Sequence, residues 1–145
     1  MSSAPKPPPR PGASRALRAA FIALTVACGT PVLADSLADV QRLIRQGQYP
    51  QALTRIDSYL GTSPNDAQAR FLKGVIYSET DKTDDAIAVF AKLTEDYPEF
   101  PESYNNLAVL HARQKQYEKA RMALEMAIQT HPSYATAHEN LGDLY

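Results

Sequence analysis

The stretch of sequence that decides the fold is PESYNNLAVLHARQKQYEKARMALEMAIQTHPSYAT, residues 101–136. Several of its residues have equivalents 34 positions earlier, and again 34 positions before those, with no insertion or deletion between them. The clearest sets are Ala52, Ala86 and Ala120; Ile56, Phe90 and Leu124; and Pro64, Pro98 and Pro132. Self-similarity at a fixed period of this length indicates a stack of helical hairpins, each packed against the next.

The repeated residue types have a common explanation in packing. An alanine such as Ala86 allows the two helices of one hairpin to approach closely, and a small residue such as Gly74 faces it from the other helix. Val40, Ala108 and Gly142 keep the same register as Gly74. A larger side chain such as Phe90 is expected to fill the space between neighbouring hairpins.

The prolines of the repeat predict the boundaries between hairpins. Proline cannot continue a helix, but it suits the first turn of the next one. In Ser63-Pro64-Asn65-Asp66 the serine is therefore predicted to cap a helix that begins at the proline.

Seven helices are predicted, arranged as hairpins with short polar turns. The first helix of each hairpin spans about 35–46, 67–79, 101–113 or 134–145, and the second spans about 50–62, 84–96 or 117–130. The turns are Gln46-Gly47-Gln48, Thr80-Asp81-Lys82 and Gln114-Lys115-Gln116. Connections of this length join antiparallel neighbours, so the sequence predicts an all-α solenoid.

Residues 101–136 closely resemble the consensus of the tetratricopeptide repeat (TPR) family. The matching residues are Tyr104, Leu107, Ala108, Ala120, Leu124, Ala127 and Pro132. The resemblance implies three repeats, at about 33–66, 67–100 and 101–134, and the first helix of a fourth at 135–145. Repeat two departs from the consensus at Arg70 and Lys73, where tyrosine and leucine are expected. The family implies a scaffold for protein–protein interaction, with no enzymatic activity.

The first 34 residues have the pattern of a signal peptide. Four basic residues and no acidic one precede the apolar run Ala19–Cys28, and cleavage is expected after Ala34. The run is too short to span a membrane. The remaining TPR domain, 35–145, has 11 basic and 16 acidic residues and a formal charge of −5, which disfavours nucleic acid as a partner. The resemblance to exported bacterial TPR proteins suggests the periplasm.

Two alternatives concern the ends of the chain. Leu24-Thr25-Val26-Ala27 before Cys28 loosely resembles a lipoprotein signal, so the rival function is a lipid-anchored structural subunit of an envelope-assembly complex. At the other end, ENLGDLY, residues 139–145, starts a fourth repeat without its second helix. We expect the sequence to be an N-terminal fragment of a longer protein, or its open end to support weak self-association.

No catalytic or cofactor-binding motif is found in the sequence. His111 and His138 are expected on adjacent first helices, at positions that the repeat uses for packing, and two histidines without a third ligand make a poor metal site. We therefore predict no enzyme activity, no cofactor and no metal.

The expected binding site is a groove on the first helices, where TPR proteins usually hold a peptide or helix. The predicted site residues are Ile44, Phe71, Val75, Asn105, Asn106, Val109, Arg113 and Asn140. Further positions in the same register are Leu37, Gln41, Arg45, Gln68, Ser78, Glu79, Glu102, Glu139 and Asp143.

Two features of this groove suggest how it would bind. Ile44, Phe71, Val75 and Val109 would form an apolar stripe, covered either by a ligand or by a later part of the chain. Asn106 and Asn140, 34 apart, would form an amide ladder for a peptide backbone. Phe71, Val75 and Glu102 stand where some family members carry residues of a basic clamp for a C-terminal carboxylate, so a chaperone-tail adaptor is not expected.

Overall fold

The computed structural model describes residues 33–145, and this range folds into seven α-helices with no strand. The helices are α1 (Leu33–Arg45), α2 (Tyr49–Thr62), α3 (Ala67–Glu79), α4 (Thr83–Asp96), α5 (Pro101–Arg113), α6 (Tyr117–Thr130) and α7 (Ala135–Asp143). Each helix packs against the next one along the chain, and α1 also contacts α3. The predicted all-α solenoid of helix hairpins is confirmed. The signal-peptide prediction, including Cys28, lies almost wholly outside the described residues.

The turns within the three complete hairpins share one geometry. Their central residues Gly47, Asp81 and Lys115 have left-handed φ angles of 70°, 57° and 60°. The amide that follows each of them reaches back to a carbonyl near the end of the first helix, as in Gln48 N to Leu43 O at 2.9 Å. This bond satisfies a carbonyl that the helix end leaves without a partner. Only the first of the three turns uses glycine, the residue that adopts such a φ angle without strain.

The prolines lie between the hairpins and not in the first turn of a helix, so that expectation was wrong. Pro64, Pro98 and Pro132 each occupy the second position of a four-residue turn closed by a backbone hydrogen bond. In the first turn Asp66 N donates to Ser63 O at 3.2 Å. Proline's fixed φ angle suits this position of a turn.

Asp66, and not Ser63, caps α3. One carboxylate oxygen of Asp66 accepts from Ala69 N at 2.8 Å, and the other accepts from the Tyr59 hydroxyl at 2.8 Å. The hydrogen bond to Asp66 also raises the pKa of Tyr59. One side chain therefore begins α3 and ties it to the end of α2.

The core consists of three clusters stacked along the helices. The first joins α1, α2 and α3 and contains Val40, Leu43, Ala52, Ile56, Ala69, Leu72 and Ile76. The second joins α4 and α5 and contains Ala86, Phe90, Leu93, Leu107 and Leu110. The third joins α5, α6 and α7 and contains Ala108, Ala120, Leu124, Ala127 and Ala137. The alanines of the 34-residue period are fully buried, as close helix crossings require.

The two departures of repeat two from the family consensus form ion pairs. Arg70 lies 2.8 Å from Asp96, and Lys73 lies 2.8 Å from Asp57. The pairing with Asp57 raises the pKa of Lys73, and hydrogen bonds from Lys92 and Arg70 lower the pKa of Asp96. Both pairs connect α3 to a second helix, so charge replaces apolar contact at these two positions.

Gly74 of α3 is in close contact with the ring of Phe90 on α4. A methyl group built on Gly74 would lie 2.7 Å from Cζ of the Phe90 ring, inside van der Waals contact. Phe90 is fully buried, so its ring has no open space to move into. At the equivalent positions repeat three has Ala108, which is larger than Gly74, and Leu124, which is smaller than Phe90.

We predict that the effect of Gly74→Ala depends on residue 90. In the native chain the overlap with Phe90 should outweigh the helix propensity gained and destabilise the fold by about 1 kcal/mol. In a Phe90→Leu background, which reproduces repeat three, the same change should stabilise it by about 1 kcal/mol. Urea unfolding of the four proteins measures the coupling. Equal effects of Gly74→Ala in both backgrounds would disprove the contact.

We also predict that Ser103→Ala stabilises the chain. Ser103 is fully buried and its hydroxyl has no hydrogen-bond partner, whereas the equivalent residues Ala69 and Ala137 are buried alanines. Removing an unpaired hydroxyl from this site should raise the free energy of unfolding by about 1 kcal/mol. Thermal melting checks it, and an unchanged or lower Tm would mean that the hydroxyl has a partner.

Candidate functional site

Four residues were expected to form an exposed apolar stripe, and the structure buries part of each. Ile44 packs on the first core cluster, and Phe71 and Val75 pack on the second. The Phe71 ring lies between Phe90 and Phe100, with ring centroids 5.5 and 5.2 Å away. Phe71 therefore holds α3 against α4 and the turn before α5, so part of its ring packs within the fold.

Asn106 and Asn140, predicted to form an amide ladder for a peptide, both make hydrogen bonds within the chain. The Asn140 side-chain amide donates to the Asn105 side-chain oxygen at 2.8 Å, and Asn105 is almost fully buried. The Asn106 amide donates to Glu102 O of its own helix at 2.8 Å. The bond between Asn140 and Asn105 therefore connects α7 to α5, whereas the bond of Asn106 stays within α5.

Arg113 connects two of the first helices at their C-terminal ends. Its guanidinium lies 3.4 Å from both the carbonyl and the hydroxyl oxygen of Ser78 on α3. Both contacts are long, and the side chain remains exposed. Arg113 is therefore available to a ligand at the price of two weak hydrogen bonds.

A recess of about 380 Å³ lies between α5, α6 and α7. Its lining residues are Ala108, Val109, Ala112 and Arg113 from α5, Ala120 and Leu124 from α6, and Asn140, Asp143 and Leu144 from α7. Three of the eight predicted site residues, Val109, Arg113 and Asn140, are among them. The wall is mainly apolar and its rim carries an arginine, an aspartate and an amide, the composition typical of ligand sites.

Two residues that line this recess are smaller than an equivalent residue in another repeat. Where repeat three has Ala112, repeat one has Ile44 and repeat two has Ser78. Where repeat three has Leu124, repeat two has the larger Phe90, whose ring presses on Gly74. Ala108, Ala120 and Leu124 were expected to serve packing only, and Ala112 and Leu144 were not among the predicted site residues. The available signal was the pair of smaller residues, Ala112 in place of Ile44 and Leu124 in place of Phe90.

His111 and His138 each make a hydrogen bond to a different part of the chain. His111 Nδ1 lies 3.0 Å from the Gln116 side-chain oxygen. His138 Nε2 lies 2.8 Å from the carbonyl oxygen of Pro132, so this nitrogen carries a proton and donates. Across residues 33–145 no group of three metal-ligating side chains comes together, and no helix in that range is long and apolar enough to cross a membrane.

Solved structures with the same fold are numerous. The first TPR domain of the human RPAP3 protein aligns at 13% identity with a TM-score of 0.71, over 77% of this chain and 88% of that chain. The first TPR domain of Spaghetti (RPAP3) bound to the HSP90 peptide SRMEEVD aligns at 13% identity with a TM-score of 0.70, over 77% and 89%. YrrB, a TPR protein with an unusual peptide-binding site, aligns at 26% identity with a TM-score of 0.69.

The match to YrrB covers 77% of this chain but 58% of YrrB, so the chain spans less than two thirds of that protein. No curated protein sequence matches this chain. The tetratricopeptide repeat model matches residues 43–110, and a second model of the same repeat matches residues 101–144. Together with the seven helices and their 34-residue period, these matches show that the chain belongs to the tetratricopeptide repeat family.

Proposed function

We propose that the chain is a non-catalytic scaffold that binds a peptide or helical segment of another protein in the groove on its first helices. The observation that carries the proposal is the recess, because three residues predicted for the groove line it and its wall is apolar with a polar rim. The peptide-binding site named for YrrB and the peptide bound to Spaghetti support the same use of the fold.

The groove differs from one that grips a C-terminal carboxylate through several basic residues. Phe71 and Val75 are packed on the core at positions where such a clamp needs charge, and Glu102 carries the opposite charge. Arg113 alone does not hold a carboxylate from two sides, as a clamp does. The proposed ligand is therefore an internal segment and not the end of an acidic tail.

Binding in the groove is tested with Ser78→Arg, which adds a long side chain beside Arg113 without removing a core contact. Selection of a displayed library of random peptides on the full chain should enrich a binding sequence. Ser78→Arg should weaken the binding of that peptide about tenfold or more, because the substitution adds bulk and charge to the groove. Fluorescence anisotropy measures the Kd.

The matched control is Ala88→Arg, which adds a similar charge and length at an exposed position of α4. It should leave the Kd unchanged. A library that enriches no peptide, or a peptide weakened equally by both variants, would count against binding in the groove.

We also propose that the scaffold works in the periplasm. The support is the order of features in residues 1–34, where basic residues precede an apolar run and small residues precede the expected cleavage site. Under this proposal the acidic repeats meet their partner outside the cytoplasm.

A reporter fused after residue 45 should reach the periplasm, and Leu24→Arg should hold it in the cytoplasm, because the charge interrupts the apolar run. Alkaline phosphatase activity measures the location. The intact mass of the exported product should correspond to a start at Asp35. A diacylated product starting at Cys28 would favour the lipid-anchored subunit instead, and cytoplasmic retention of the unmutated fusion would contradict export.

A further inference from the structure

We propose that the recess between α5, α6 and α7 receives one bulky aliphatic or aromatic side chain of the bound segment, and that a lysine or arginine beside it pairs with Glu139 and Asp143. The inference rests on the proposed function and specifies the chemistry of its ligand. It follows from the shape of the recess, from the distribution of ion pairs and from a comparison of the repeats.

The shape of the recess suits a side chain and not a whole helix. Its volume of about 380 Å³ lies near the lower end of the range of roughly 300–1,000 Å³ for ligand sites. Ala120 and Leu124, which form part of its wall, are core residues that are almost fully buried. The recess therefore leads from the groove towards the hydrophobic core, where an apolar side chain gains most by leaving water.

The register of the repeat shows that a branched side chain fits at this place. Position 112 is alanine, and the equivalent residue in repeat one is Ile44, which packs against the first core cluster. Repeat one thus fills from within its own chain a volume that repeat three leaves open. A leucine, isoleucine or phenylalanine from a ligand would occupy in repeat three the space that Ile44 helps to fill in repeat one.

Charge determines which residue should stand beside that side chain. None of the eight ion pairs formed within the described range includes an acidic residue of α3, α5 or α7. Those acidic residues are Glu79, Glu102, Glu139 and Asp143. By contrast, ion pairs hold acidic side chains on α1, α2, α4 and α6.

Two of these carboxylates belong to α7, beside the recess. Asp143 lines it, and Glu139 lies one helical turn earlier on the same face, since residues four apart are neighbours on a helix. Like charges at this spacing repel each other, and a cation between them removes the repulsion. On α5 the exposed Arg113 also lines the recess, where its guanidinium can donate to a peptide carbonyl.

Two substitutions test the proposal on the full chain, with synthetic peptides of the sequences that the displayed library enriches. Ala112→Ile places in repeat three the residue that repeat one carries at the equivalent position. Because the isoleucine would occupy the recess, it should weaken peptide binding at least about tenfold. Ala88→Ile introduces the same branched residue on the exposed face of α4 and should leave the Kd unchanged. Circular dichroism melts of both variants show that each is folded.

The second substitution is Asp143→Lys, at an exposed position near the end of α7, where a basic residue complements the helix dipole. Asp143→Lys should weaken the binding of peptides that carry lysine or arginine beside the bulky residue. Exchanging that basic residue of the peptide for glutamate should restore binding to Asp143→Lys and weaken binding to the native chain. Such a reciprocal exchange has no explanation in a loss of folding.

The results separate this proposal from the proposed function. If Ser78→Arg weakens a peptide that Ala112→Ile and Asp143→Lys leave unchanged, the groove binds peptides and the recess proposal is overturned. Enriched sequences without a bulky apolar residue beside a basic one would also overturn it. If the native chain is a dimer by sedimentation and Ala112→Ile makes it monomeric, the occupant is a second copy of the chain, and the proposal is again overturned.

Discussion

The two helices of each hairpin approach each other closely, and this approach fixes the volume available at their crossing. Ala52, Ala86 and Ala120 are fully buried on the second helices, where their small side chains let the two helices approach each other. The contact of Gly74 with Phe90 shows the same limit in repeat two, where one large ring requires the absence of a Cβ on the facing helix. The 34-residue period persists because each hairpin must satisfy this constraint to stack on the next.

Much of the fold could be predicted because this constraint recurs at equal spacing in the sequence. The bounds of α3 and α5 equal the predicted ranges, and the left-handed turn residues lie at the centres of the predicted turns. The prolines were misplaced because two turn geometries accept proline equally well, the first turn of a helix and the second position of a β-turn. Asp66 was missed as a cap because Ser63 has the same capping chemistry three residues earlier. The choice between them depends on Tyr59, which binds Asp66 from another helix.

The site was less predictable, because register places a residue on a helix face but does not determine what its side chain touches. Asn106 and Asn140 occupy equivalent positions, yet one bonds to its own helix and the other bonds to Asn105. Phe71 has the position of a groove residue, but Phe90 and Phe100 enclose its ring. Both outcomes reflect neighbours that differ between repeats. A motif that is common to the family therefore carries less information about binding than the residues in which one repeat differs from the others.

The recess is a difference of this kind, and it has a consequence for stability. Unfilled space beside a core costs free energy, roughly 24 cal/mol for each Å³ of a sealed cavity, although an open recess that water enters costs less. A branched residue at Ala112, such as the Ile44 of repeat one, would reduce that cost without changing the backbone. An apolar side chain supplied by a ligand would recover the same contacts on binding. The packing energy that stabilises repeat one in the free chain would then contribute, in repeat three, to the affinity for a partner. The stability of the bound chain would depend on which apolar side chain the ligand supplies.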